Sequence, residues 1–137
     1  MTLLLLIASA LASIHPFPQE AALQLITKAK TFKSDIVCIS IDGSDPSTSL
    51  LATIRKSLPQ AVPASECSKP DRYVVHKSSG RHATIVSVSD FTLTSSTTAT
   101  ADYSVNSGPL AGNWYIAKFR LTRGTWELMA VESYMAS

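Results

Sequence analysis

Three kinds of side chain in this sequence have the type and spacing to support chemistry: two histidines about a turn, a pair of aspartates in a loop, and a cysteine beside a glutamate. His76 and His82 flank the segment Ser78-Ser79-Gly80-Arg81. If the residues on either side pair as a hairpin, the two imidazoles approach each other across it. There they would bind a metal or act in acid–base work. Either role needs a third ligand or an orienting carboxylate, and the sequence gives neither a defined spacing. Exposed histidines at strand ends are the simpler expectation. Asp42 and Asp45 sit with Gly43 in a loop similar to part of a calcium site, but the oxygen-ligand pattern closing on a distant Glu is absent. Turn formation and helix capping account for both residues. Ser65-Glu66-Cys67 places a thiol beside a carboxylate, yet no neighbouring base activates it. Cys67 therefore reads as structural, and no catalytic residue, metal or cofactor is expected.

Aromatic residues are the other candidates. Tyr103, Trp114, Tyr115, Phe119, Trp126 and Tyr134 all fall in the last third of the chain. Core packing explains them, since aromatic cross-strand pairs are ordinary in sheets. If some instead line an apolar ligand pocket, Tyr103, Tyr115, Phe119 and Trp126 are the candidates. Tyr is suited to such a place because it carries a polar group into an apolar cavity.

The elements that must position these groups are legible in the hydrophobic pattern. At residues 97–106, Ala99, Ala101, Tyr103 and Val105 share one face, while Thr100, Asp102, Ser104 and Asn106 share the other. That is the alternation of a strand with one buried and one wet face. Residues 108–112 break it, residues 113–122 resume it, Arg123-Gly124 turns, and residues 126–134 return. Residues 72–77 and 83–93 read as two further strands. Upstream, residues 19–32 carry a narrow apolar stripe of Ala22, Leu25, Ile26 and Ala29, which predicts a helix. Residues 35–41 are a short β-branched run that fits a strand or a helix continuation. Asp45 and Pro46 predict an N-cap and first position for a helix over residues 46–56, with Leu50, Leu51 and Ile54 on one face and Pro59 as its stop. Residues 60–70 read as a loop.

Composition narrows the class. The chain has 137 residues, which suits one domain. Its 12 Lys and Arg against 10 Asp and Glu are scattered, so nucleic acid is not an expected partner. Residues 2–12 are apolar and end in Ala10-Leu11-Ala12, the form of a cleaved secretory leader, although no Lys or Arg precedes the apolar stretch. That stretch is too short for a stable membrane span. The expectation is a signal peptide at 1–12, a single α+β domain at 13–137, and a periplasmic or secreted location. The alternative is a buried N-terminal helix in a cytosolic protein. Two cysteines, Cys38 and Cys67, fit a disulfide in an exported chain and two buried thiols otherwise.

Residues 108–112, the strand Trp114-Tyr115-Ile116-Ala117-Lys118-Phe119-Arg120-Leu121, and Arg123-Gly124-Thr125-Trp126-Glu127-Leu128 together resemble the C-terminal half of NTF2-like and other cystatin-like α+β domains. Gly124 and Trp126 match the Gly-turn and x-Trp-x-apolar ending of that group. The upstream half looks like small exported bacterial proteins of unassigned function. The resemblance implies two N-terminal helices packed on a curved antiparallel sheet of four to five strands. Enzymes of the group place Asp, Glu or His on strands facing a pocket. The inner face of residues 97–105 offers Ala, Thr, Tyr and Val, so none of their catalytic residues is carried over. The expected function is an exported, non-catalytic binding or assembly module for a small apolar ligand or a protein partner. The alternative is a pocket enzyme, isomerase- or hydrolase-like, using His76 or His82 near Tyr103. Trp114, Ile116 and Lys118 on the outer face offer a surface for homodimerisation.

Overall fold

The structure, a computed structural model, describes residues 16–28, 34–108 and 113–135. The leader at 1–12, His15 and most of the connection at 108–112 lie outside the described residues, as do the side chains of Tyr134 and Met135.

Among the described residues two helices precede most of the strands. Helix α1 (Gln19–Lys28) follows Pro16-Phe17-Pro18, and its first backbone bond runs from Ala22 N–H to the Pro18 carbonyl at 3.0 Å. Its buried stripe is Ala21, Ala22, Leu25 and Ile26. Helix α2 (Thr48–Ser57) buries Leu50, Leu51 and Ile54. Its N-cap is Ser47, whose hydroxyl accepts from Leu50 N–H at 3.2 Å, not Asp45 as the Asp-Pro pair suggested. The physical reason is that Asp45 is engaged elsewhere: its carboxylate accepts from the backbone and hydroxyl of Ser65.

Among the described residues the main sheet has six strands, more than the four to five expected. They are β1 (Ile36–Ile41), β2 (Ala61–Pro63), β5 (Ala83–Leu93), β6 (Thr98–Asn106), β7 (Asn113–Thr122) and β8 (Thr125–Met135), in the order β2-β1-β5-β6-β7-β8. Between β2 and β5 lie a short 3-10 turn (Ala64–Glu66) and a separate two-stranded ribbon of β3 (Cys67–Ser68) and β4 (Val75–His76). The sheet is mixed and not wholly antiparallel. β1 pairs in parallel with both β2 and β5, whereas β5 to β8 form an antiparallel meander. The β1-α2-β2 crossover is what makes the parallel pairing possible, because parallel neighbours need a long connection. The segment at 72–77, read as a strand of the sheet, supplies only the two residues of β4, and these pair with β3.

β1 shows why its six residues read as nearly continuous apolar sequence. Its two faces are both covered. Val37 and Ile39 join the core beneath the helices, with Leu25, Ile26, Ile54, Val86, Val88, Ala101 and Phe119. Ile36 and Cys38 point the other way, into a small second core with Cys67, Val74 and Ala83. There Cys38 and Cys67 form a disulfide with an S–S distance of 2.08 Å and a Cα–Cα distance of 6.4 Å. The bond ties the ribbon to β1, next to the edge strand β2, on the face away from α1 and α2.

Candidate functional site

Two places bring functional groups together. The first lies on the face of the meander opposite α1 and α2. Strand register sets its residues side by side. Ser40, Ser87, Ser104 and Trp114 occupy successive paired positions across β1, β5, β6 and β7. One row along, Ser89 pairs with Asp102, which pairs with Ile116. Ser87, Ser89, Asp102, Ser104, Trp114 and Tyr115 line a groove of about 260 Å³. Trp114 is 42% exposed, unusual for so large an apolar side chain. Asn106, on the same face beyond Ser104, has a buried Oδ1 without a hydrogen-bond partner among the described residues.

A bulge adds a second acid to this face. The register of β5 on β6 shifts between Ser89 and Thr92, and Asp90 there takes a φ of 56°. A bulge leaves one residue unpaired and re-aims its side chain. The carboxyl of Asp90 thereby comes against Asp102. Burial raises the pKa of Asp102 above the ordinary aspartate value, and the hydrogen bond and negative charge of Asp90 raise it further.

A second groove of about 410 Å³ runs between the helices, lined by Gln19, Glu20, Leu23, Ser49, Leu50 and Thr53. It is larger, but its polar groups are the ordinary exposed residues of two helix surfaces. The sheet groove is the better candidate, because hydroxyls, a perturbed carboxyl and an exposed indole converge on it.

The aromatic residues singled out from the sequence fall mainly on the other, helix-covered face. Phe119 is 2% exposed and Tyr103 is 6% exposed, both within the main core. Phe91 sits at the centre of an aromatic cluster, with ring centroids 5.4 Å from Phe17, 5.6 Å from Phe119 and 5.2 Å from Trp126. Tyr103 lies 5.5 Å from Tyr115, and burial, reinforced by Tyr115, pushes its pKa up to about 12. Of the four candidates, Tyr115 alone also lines the sheet groove.

The second place is the ribbon. His76 Nε2 lies 3.0 Å from Glu66 Oε1, and His76 Nδ1 lies 2.8 Å from Ser79 Oγ. Glu66 is the orienting carboxylate that sequence spacing did not reveal. The ribbon supplies it: Cys67 pairs with His76, and Lys77 N–H donates to the Glu66 carbonyl at 2.8 Å. The adjacency of Glu66 to the disulfide cysteine was the available signal. His82 instead lies 5.3 Å from the ring of Tyr73. His82 is not placed for chemistry at Tyr103. Tyr103 pairs with Val88, six positions beyond His82, which is about 20 Å along a strand. No helix among the described residues is long and apolar enough to cross a membrane. No family model, curated protein or solved structure matches the chain.

Proposed function

We propose that this is an exported binding module that holds a small hydroxyl-rich ligand, of the monosaccharide class, in the groove on the open sheet face. One observation carries the reading: an exposed Trp114 stands at the end of a row of serine hydroxyls beside a carboxyl pair. The indole face offers apolar area to the C–H side of a sugar ring. Ser87, Ser89 and Ser104 both donate and accept, so they match hydroxyls of either orientation. Asp102 and Asp90 share the polar end, where a protonated carboxyl donates and an ionised one accepts. The ligand class differs from the apolar ligand expected from sequence, because the groove lining is hydroxyl and carboxyl around two aromatic rings. Export is supported by the Cys38–Cys67 disulfide, a bond that persists in oxidising compartments.

The test is tryptophan fluorescence and saturation-transfer NMR with a panel of neutral monosaccharides and disaccharides. The expected result is a saturable change that Trp114→Ala abolishes while leaving the unfolding midpoint unchanged. A change retained in Trp114→Ala, or no response to any sugar of the panel, overturns the reading. Sedimentation velocity on the same samples reads the competing use of this face. A dimer that Trp114→Ala splits would assign the surface to a second copy of the chain.

A further inference from the structure

The ribbon holds a chemistry separate from the groove, and hydrogen-bond bookkeeping fixes its direction. An ionised carboxylate only accepts, so Glu66 Oε1 must receive a proton from His76 Nε2, 3.0 Å away. In the neutral imidazole the other nitrogen, Nδ1, then carries the lone pair. Two hydroxyls approach that nitrogen, Ser78 Oγ at 3.4 Å and Ser79 Oγ at 2.8 Å, and the nearer, Ser79, is the donor. Arg81 N–H approaches the same oxygen at 3.3 Å and donates to it, which is consistent with a hydroxyl whose own proton points at the imidazole. The chain runs from serine hydroxyl to imidazole to carboxylate, all three in one sense. His76 is held in place: its side chain is 12% exposed, its N–H donates to the Arg81 carbonyl at 2.9 Å, and its carbonyl accepts from Gly80 N–H at 2.7 Å. The serine, in contrast, is exposed on the turn.

We infer that Ser79 is an activated nucleophile with esterase chemistry toward small activated esters, with His76 as its general base and Glu66 as the residue that sets the imidazole tautomer. Ser79 Oγ forms a bond to the ester carbonyl carbon as its proton passes to His76 Nδ1. The ester C–O bond breaks, and the departing alkoxide takes that proton. Water then repeats the sequence on the acyl-serine and releases the carboxylic acid, returning the hydroxyl to Ser79. The imidazole here presents Nδ1 to the serine and Nε2 to the acid, and each nitrogen fills the role its hydrogen bond dictates.

The experiment uses the full disulfide-bonded chain with p-nitrophenyl acetate and, separately, a fluorophosphonate, read by release of p-nitrophenol and by peptide mass mapping. The wild-type chain suffices for the mapping, so the result does not depend on whether a variant folds. The expected adduct is on Ser79. Ser79→Ala removes it, Ser78→Ala leaves it, and Glu66→Gln lowers the rate at least about tenfold while altering its pH profile. Adducts confined to lysines or to Ser78, no adduct at all, or a Ser79 rate unchanged in Glu66→Gln would each overturn the inference.

Discussion

Asp102 is the residue at which the groove's electrostatics become measurable. Its pKa is raised in the folded chain by burial first and by Asp90 second. Between the unfolded and folded values the folded state binds more protons, so stability falls as pH rises through that window and stays lower at neutral pH. Asp102→Asn is therefore expected to be more stable than the parent at pH 7. The advantage should disappear below the ordinary aspartate pKa of about 3.9. Urea midpoints at pH 7 and at pH 3.5 check this. The same substitution leaves the groove without one of its acceptors and should weaken sugar binding, so stability and affinity move in opposite directions. No spacing rule finds this pair. Asp90 reaches Asp102 only because a bulge with a positive φ turns it onto the open face.

Gln24 shows what an element-level contact does that the hydrophobic pattern does not reveal. β8 is an edge strand, and an edge presents unpaired backbone groups. Gln24, on α1, answers two of them. Its Nε2 donates to the Trp126 carbonyl at 2.7 Å, and its Oε1 accepts from Leu128 N–H at 2.8 Å. This fixes the helix on the sheet in both position and direction. Gln24→Ala should lower stability by about 1–3 kcal/mol, since two partly buried backbone groups lose their partners. A drop in the urea midpoint with an unchanged slope would check it. The alternation in β6 and β7 was legible, and Ala99, Ala101, Tyr103 and Phe119 are buried on the face expected. The helix stripe of Leu25 and Ile26 was legible for the same reason. β2 was not, because three residues ending in Pro63 carry no period. The parallel pairing of β1 was not either, because a short apolar run does not state its partners. The groove stayed hidden because serines on the wet face of a strand look like ordinary solvent contacts until register lines up Ser40, Ser87 and Ser104.

At the level of the whole molecule, stability depends on two cores on opposite faces of one sheet. The larger lies under the helices, and Phe119→Ala there should cost about 3–5 kcal/mol. The smaller is clipped by the disulfide. Cys38 and Cys67 are 29 residues apart, and in the chain-entropy model opening that loop lowers stability by roughly 3–4 kcal/mol. Thermal unfolding with and without reductant checks this. The loss should appear with the groove residues unaltered in sequence and the ribbon released. The ribbon does not line the sheet groove, so sugar binding should persist below the new midpoint.

Chain order gives the disulfide a further meaning, in the timing of folding. Both cysteines, β1, α2 and β2 all precede residue 68, whereas β5, the other neighbour of β1, begins at Ala83. A chain delivered from its N-terminus can complete the β1-α2-β2 unit and close its covalent link before any strand of the meander has emerged. β5 then meets a template already clamped in register, and β6, β7 and β8 add by local hairpin steps. The longest-range pairing in the sheet becomes the docking of one strand on a finished edge, which shortens the effective loop that has to be closed.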